Sequence, residues 1–383
     1  MPVPRKLDIF NKLKSQLELG ISIATFYVTT EQIRQRIFIK IIFFSSVLCF
    51  LSSALHIVNT FHGQFTGNLA VSVLFCIACI QILCKIVLLR YHRKNVLELL
   101  EKAQSLHSNF ENKDINCIAE KTLTKFSNIW ETCFKLGRAL VYVTGYSFSI
   151  ANTINGKSGV IVEIPLIPSD FPYYTQIMLF VQILYAPFAC AYVFYSEISV
   201  AFFGFEIMAA ADILYDYISA NRDRIQEDPD LLKIITIRYC EVMDNIKRFN
   251  NIISLPCLIQ FTTSAFLSFS IFSFVRLYPR NPVGYTTTLA ILFQLLIPCL
   301  FGEFIKIKME RLSITLYLTN WYDLGLKDQK FFLFVLRMTQ REYGLKAAGM
   351  YDVNFYTFIK IIKMVASWCA FIFTLETALE KAA

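Results

Sequence analysis

Residues 37–58 of the chain read IFIKIIFFSSVLCFLSSALHIV, an apolar run interrupted by a single lysine near its start. About 20 apolar residues in an α-helix are enough to cross the hydrocarbon core of a bilayer. A helix that is apolar on all sides belongs in lipid or in a deep protein core, because it has no face suited to water. This stretch therefore predicts a membrane-spanning helix.

Six more runs of this kind follow along the chain, at roughly 68–89, 134–154, 173–200, 252–277, 285–305 and 354–376. The third is the weakest, because Gly137 and Arg138 interrupt its start and Thr144, Ser147 and Asn152 dilute its apolar character. The composition agrees, with 55% hydrophobic and only 17% charged residues, whereas soluble domains carry about 25% charged residues. We predict an all-α protein with seven transmembrane helices.

The distribution of lysine and arginine predicts the orientation. Most of these residues precede the first span or lie between spans two and three, four and five, or six and seven. Basic residues accumulate on the cytoplasmic side, so we expect the N-terminus inside and the C-terminus outside. The same asymmetry accounts for the net charge of +8, and no nucleic-acid partner is needed to explain it.

These patterns divide the chain into five parts. We expect a cytoplasmic N-terminal segment at 1–36, six spans with long cytoplasmic helix extensions at 37–305, cytoplasmic anchor helices at 306–353, a seventh span at 354–376, and a tail at 377–383. The outer connection 155–172 is rich in glycine and proline, which predicts an ordered lid or a crossing loop rather than a helix.

The polar residues of the spans and connections do not form a catalytic or metal-binding pattern. Cys76 and Cys79 make a C-x-x-C pair, but the pair lies in an apolar span without a second pair, so we expect small hydrophobic residues and no metal. The histidines show no catalytic grouping, and no phosphate-binding loop or nucleophile elbow occurs. Glu197, Glu206 and Glu303 are expected to be solvated or paired near helix ends. We predict no enzyme activity and no cofactor.

Two further patterns have competing interpretations. Residues 281–285 read NPVGY, which matches the NPxxY pattern of G-protein-coupled receptors, but they precede a span instead of ending the last one, and the predicted orientation also contradicts that class. The segment Lys327–Thr339 is too short to span and too apolar to face water. We predict that it forms an anchor between subunits, although packing inside its own subunit is the alternative. The residues proposed for the anchor are Phe331, Phe334, Val335 and Met338.

The last part of the chain resembles the insect odorant receptor family. The resemblance rests on Leu312–Leu324 (LSITLYLTNWYDL), Phe331–Arg341 (FFLFVLRMTQR), Leu345–Phe358 (LKAAGMYDVNFYTF) and Ile361–Phe373 (IIKMVASWCAFIF). Within these segments the positions typical of the family are Ala347, Ala348, Gly349, Tyr351, Asn354, Thr357, Phe358 and Ser367, and Trp368 is a mild departure. The long intracellular insertion typical of the coreceptor is missing, so the chain looks like an odorant-tuned subunit.

The resemblance implies an odorant-gated, non-selective cation channel in the plasma membrane of sensory neuron dendrites. It implies a heterotetramer with coreceptor subunits, a small volatile hydrophobic ligand, and a pore lined by the seventh span of each subunit. The implied gate residues are Phe371, Thr374 and Leu375, although ordinary packing would give the same spacing. An apolar ring of this kind would block ions by dewetting.

The resemblance also implies a ligand pocket in the outer half of the membrane, between spans two, three, four and six. The candidate residues are Phe75, Val143, Tyr146, Ile150, Met178, Val181, Tyr185, Leu289 and Phe293. Core packing is the competing interpretation for each of them, and it is weakest for Tyr146 and Tyr185, because a buried phenol needs a hydrogen-bond partner. A secondary transporter, or another multi-span membrane protein, is the alternative function, but no internal repeat supports a transporter.

Overall fold

Seven long helices follow the seven predicted spans. The computed structural model describes residues 5–25, 33–61, 67–108, 113–154, 159–164, 167–168, 170–225, 229–277, 279, 282–340 and 343–382. The long helices are α2 (Ile33–Thr60), α3 (Gly67–Tyr91), α5 (Lys113–Ile154), α6 (Tyr174–Ala220), α7 (Pro229–Leu277), α8 (Pro282–Tyr317) and α10 (Phe355–Ala382). Six are apolar enough to cross a membrane by composition. The remaining one, α5, contains the span that the sequence marks as weakest.

Several of these helices are much longer than a bilayer requires. Helix α6 has 47 residues and α7 has 49, and 47 residues at 1.5 Å each extend about 70 Å, more than twice the hydrocarbon thickness of about 30 Å. The extra length lies at the end of the bundle that also carries α4 (Arg93–Leu106) and α9 (Leu326–Thr339). We call this the anchor end, and the end near residues 159–164 the loop end. Both helices thus continue as one element well beyond the spans predicted from the sequence.

The core runs along the α5–α6 contact as a series of aromatic rings. Trp130 lies edge-on to Phe202 at a centroid distance of 5.6 Å, and Phe134 lies 5.1 Å from Phe194 in the same arrangement. Phe10, which is buried in α1 (Arg5–Thr25), joins this cluster through Phe202. Aromatic pairs of this geometry add about 0.5–1.5 kcal/mol each beyond their buried area. The N-terminal segment is therefore built into the core as a helix.

A short hairpin connects α9 to α10. Its strands, β1 (Lys346–Ala347) and β2 (Tyr351–Asp352), pair in antiparallel fashion, and the turn between them places Ala348 at φ 50° and Gly349 at φ 71°. Glycine adopts positive φ without steric cost, which explains why the small-small-glycine step of the sequence falls here. The Ala348 backbone N–H donates to the Ser254 carbonyl at 3.1 Å, so the hairpin is attached to α7.

The cysteines of the spans are unbonded thiols, and the carboxylates of the spans have hydrogen-bond or ion-pair partners. All cysteines named in the sequence analysis are free thiols. Glu197 pairs with Lys85, Glu206 accepts from His107 at 3.1 Å, and the Glu303 carboxylate accepts from the Phe355 backbone N–H at 3.3 Å. Each of the three carboxylates therefore has a partner, although Glu197 lies in the middle of α6 and not near a helix end. Among the described residues, no group of three metal-ligating side chains comes together.

Candidate functional site

Three of the predicted ligand residues lie in the interior near the loop end. On α6, Met178 and Tyr185 are buried and share one helix face. Phe75, on α3, lies edge-on to the Tyr185 ring at a centroid distance of 5.8 Å. The surroundings of Tyr185 are apolar and include Cys49 and Cys79. This corner of the bundle is therefore apolar and contains one aromatic pair, two features of sites for small apolar molecules.

The Tyr185 hydroxyl is the polar group of this corner. It is buried and meets no hydrogen-bond partner at bonding geometry within the described part of the chain, although the Ser46 hydroxyl and the Cys79 thiol lie nearby. The Ser46 hydroxyl donates to the Ile42 carbonyl at 2.8 Å, and its oxygen keeps lone pairs that can accept from a neighbouring hydroxyl. An unpaired buried hydroxyl costs about 1–3 kcal/mol, so a ligand with a hydrogen-bond acceptor would recover free energy by binding here.

A connecting segment closes the loop end over this corner. Residues 159–164 are not helical apart from a single turn, in agreement with the predicted lid or crossing loop, and Val160, Ile161 and Val162 are buried. Val160 packs against Met178, while Ile161 and Val162 pack in a cluster with α3, α7 and α8 residues. Residues 160–162 thus plug this end of the bundle, whereas Pro168 and Asp170 are exposed.

Side chains of α6 and α2 fix this loop in place. Gln182 accepts from the Ile161 backbone N–H at 2.9 Å and donates to the Gly159 carbonyl at 3.2 Å. Glu163 accepts from the Asn59 side-chain amide at 2.6 Å, and its carboxylate lies 2.8 Å from His56 Nδ1. Sequence reasoning missed these residues. A buried glutamine on the same α6 face as Met178 and Tyr185 was the available signal.

The other predicted ligand residues lie elsewhere on the surface of the helices. Val181 is half-buried. Tyr146, Phe293, Leu289, Ile150 and Val143 expose between 43% and 66% of their surface in the single subunit. Helix α5 instead turns a small-residue face inward, since a Cβ on Gly145 would lie 2.1 Å from the Cys190 sulfur. The structure brings together Phe75 and Tyr185, places Met178 about two turns away on the same face of α6, and leaves these five residues on exposed helix surfaces.

Helix α10 is the least buried of the apolar helices. Only 11% of its most apolar stretch of 18 residues is buried, whereas the buried share is between 33% and 50% in the other candidate spans. Val365 and Cys369 form its packed face, next to Ala265 of α7. Of the predicted gate residues, Phe371 is 64% exposed and Thr374 is also exposed. The Leu375 side chain lies outside the described part of the structure.

Helix α9 has one face inside its subunit and one face outside. Val335, a predicted anchor residue, is fully buried together with Phe332, which stacks on Trp321 at 5.6 Å. The exposed side carries Phe331 at 43% and Phe334 at 61%. Met338 packs at the edge of the core. One face of α9 therefore packs inside its own subunit, and the other face is available to a second subunit. Val335 lies on the inner face, so the prediction that it contacts another subunit is wrong.

A polar cluster that sequence reasoning did not foresee joins four helices in the apolar region. Lys85 of α3 pairs with Glu197 of α6, and Gln294 of α8 donates to the same carboxylate at 3.4 Å. Pro298 lacks the backbone N–H that would normally bond the Gln294 carbonyl four residues earlier. Gln260 of α7 donates to that carbonyl instead, so the break in the α8 hydrogen-bond ladder is repaired from a neighbouring helix.

A close backbone contact attaches the start of α10 to α8. A Cβ built on Gly302 would lie 1.7 Å from the Val353 carbonyl oxygen, and the clashing atom belongs to the backbone. Glycine is therefore required where α8 passes the hairpin that leads into α10. A displacement of α8 at this level would be transmitted to α10 through a rigid contact.

The sequence of this chain is similar to those of known receptors. The family described as 7tm Odorant receptor matches residues 64–366. Odorant receptor 33b of Drosophila melanogaster is 24% identical over 158 residues, which is 41% of this chain and 39% of that protein. The chain is thus matched over well under half the length of that relative.

Solved structures cover nearly the whole chain. The olfactory receptor OR5 from the insect Machilis hrabei superposes with a TM-score of 0.76 at 10% identity, covering 95% of this chain and 99% of the other. The structure of OR5 in complex with eugenol gives a TM-score of 0.77 at 10% identity, with 97% and 99% covered. This likeness establishes a shared fold.

Proposed function

Since this chain belongs to the 7tm odorant receptor family, we propose that it is the odorant-sensing subunit of a cation channel shared with coreceptor subunits. It is a multi-pass membrane protein and a ligand-gated channel subunit, not an enzyme. The observation that carries the proposal is the free face of α10. This helix is apolar enough to span, yet it is scarcely covered by its own subunit.

The free face of α10 carries polar side chains among its apolar ones, and these polar groups favour water over lipid as their neighbour. A helix turns by about 100° per residue, so Lys363 and Ser367, each two residues from Val365, lie on the side opposite the packed face. Thr374 falls on the same side and is also exposed. Polar side chains in membrane helices face a protein interior or a water-filled path. A conduit formed by several α10 helices satisfies this requirement.

The gate of this conduit is proposed at Phe371, Thr374 and Leu375. Phe371 extends from the free face and is 64% exposed. A ring of such side chains around a common axis would exclude water and therefore ions. A small outward movement of α10 would readmit water. The gate therefore needs no charged plug.

The neighbouring subunits are proposed to meet at the anchor end through α9. Phe331 and Phe334 are exposed there, and Leu326 and Leu333 extend the same apolar surface. A helix at the anchor end that exposes several large apolar side chains is expected to be covered by another protein surface. We expect this surface to join the chain to coreceptor subunits in a heterotetramer.

The ligand is proposed to be a small, volatile, mainly apolar molecule with one hydrogen-bond acceptor. The corner formed by Phe75, Met178 and Tyr185 supplies the apolar walls, and the Tyr185 hydroxyl supplies the donor. The lid at 159–164 would keep the bound molecule from water. The predicted residues Val143, Tyr146, Ile150, Leu289 and Phe293 lie on exposed faces of α5 and α8, and Val181 is half-buried on α6, so the proposed pocket does not depend on them.

The orientation follows from the basic residues, with the anchor end in the cytoplasm and the loop end outside. The dendritic plasma membrane of sensory neurons would be the site of action. A secondary transporter remains the alternative. It would require a substrate path through one subunit, whereas the polar side chains on the free face of α10 favour a path between subunits.

The test is an electrophysiological recording of the chain expressed with an insect coreceptor and challenged with a panel of volatile compounds. We expect currents that the coreceptor alone does not give, carried by Na⁺ and K⁺. Phe371→Ala and Leu375→Ala should each raise the current without ligand or change ion selectivity. Responses identical to those of the coreceptor alone across the panel would overturn the proposed function.

A further inference from the structure

Two lysines stand on the free face of α10. Lys360 and Lys363 are both exposed and lie three residues apart, about one turn of helix. Within the part of the chain that the structure describes, no carboxylate lies within ion-pair distance of either ammonium. By contrast, Lys85 of α3 pairs with Glu197 of α6. Among the residues that the structure describes, these two charges are therefore unneutralised.

The depth of these lysines in the span argues against a position in lipid. The span begins at Phe355, and Lys363 lies about 12 Å further along the helix axis, well inside a hydrocarbon layer of about 30 Å. An unpaired ammonium facing lipid at that depth is costly. The lysines share their face with Ser367 and Thr374, so a water-filled path along this face would hydrate all four side chains.

We propose that Lys360 and Lys363 set the cation throughput of the pore by placing two fixed positive charges beside the ion path. This inference rests on the proposed function, because it requires α10 to line a conduit. In water, one unit charge about 8 Å from the ion path lowers the local cation concentration about twofold. Two such charges lower it up to about fourfold, and salt screening over about 8 Å reduces the effect.

The charges also specify the chemistry of the partner subunits. An assembly of identical copies would surround one axis with like charges from every α10, and the repulsion would empty the conduit of cations. A conducting assembly therefore contains partners whose last helix is neutral or acidic at the level of Lys360 and Lys363. The cation conductance should fall as the share of this chain in the assembly rises.

The experiment measures unitary currents of the chain expressed with a coreceptor in symmetric NaCl. We expect the double variant Lys360→Gln/Lys363→Gln to raise the unitary cation current about two- to fourfold, and Lys360→Glu/Lys363→Glu to raise it further. Lys346→Gln is the matched control, because Lys346 is exposed but lies in β1, before the span. Its unitary current should equal that of the unaltered chain.

A second measurement needs no variant. In the unaltered channel, a fixed positive charge makes the cation conductance fall more steeply than the salt concentration as NaCl is lowered. A conductance proportional to salt concentration, or double variants with unaltered unitary current, would overturn the role of the lysines. If Phe371→Ala still raised the leak in that case, the pore assignment would stand and only this inference would fail.

Discussion

Removal of the Lys85 charge, with Glu197 left in place, tests the polar cluster between α3 and α6. The Lys85 side chain is 7% exposed and that of Glu197 is 19% exposed, so neither can recover full hydration when its partner is lost. Breaking a buried ion pair on one side costs about 3–5 kcal/mol. We expect Lys85→Met to lose this amount of stability, and we expect Lys85→Met/Glu197→Gln to regain most of it, since the double change leaves no uncompensated charge.

The assay is thermal unfolding of the purified protein in detergent, followed by size-exclusion chromatography after heating. The matched control is Lys135→Met, because Lys135 pairs with Glu131 at 2.6 Å but the two side chains are 66% and 50% exposed. An exposed pair of this type contributes about 0–1 kcal/mol. The reasoning is refuted if Lys85→Met is as stable as Lys135→Met, or if the double variant is no more stable than the single one.

The remaining predictions concern the hairpin, the anchor and the pocket. Gly302→Ala forces a methyl group into the Val353 carbonyl and should cost at least about 1–3 kcal/mol and weaken ligand-evoked current, whereas Gly344→Ala, which meets no atom within 4 Å, should do neither. Phe334→Ser should reduce the fraction of assembled complex in cross-linking experiments while the thermal stability of the subunit stays unchanged, because the side chain is 61% exposed; equal assembly would locate the interface elsewhere. Tyr185→Phe should raise the half-maximal concentration of acceptor-bearing ligands about 2- to 12-fold and leave pure hydrocarbons unaffected, and an equal shift for both classes would exclude the hydroxyl as the donor.

The helices could be predicted because lipid imposes the pattern. Backbone groups in hydrocarbon must bond internally, so a span appears as one continuous apolar run, and α2, α3 and α10 lie where those runs lie. The weakness of the third span also has a physical reason. Helix α5 packs a small and polar face, with Gly145 and Ser149, against α6, so it needs less apolar surface than its neighbours.

The orientation of side chains could not be predicted in the same way. A helix that is apolar nearly all round has no hydrophobic face to mark its contact side, and for this reason α9 gave no signal that Val335 is buried while Phe334 is exposed. The five ligand candidates with exposed side chains were misplaced for the same reason. An apolar residue in a span can face lipid as readily as an interior pocket, and the sequence does not distinguish the two.

Contacts between distant parts of the chain were also beyond the sequence pattern. His56 and Glu163 lie 107 residues apart, and Lys85 and Glu197 lie 112 residues apart. Nothing local marks such pairs, although a charged residue in a span calls for some partner. The expectation that the carboxylates are paired could be drawn from that rule, but the identity of each partner required the fold.

Cysteine substitution along α10, followed by modification with a charged, water-soluble thiol reagent during current recording, tests the central claim most directly. The account predicts a helical period. Substitution at Ser367, Phe371 and Thr374 should make the current sensitive to the reagent, and substitution at Val365 should leave it at the level that the native cysteines already give. Equal effects of the reagent at positions all around the helix, or effects only on the Val365 face, would contradict the claim that α10 lines the conduit.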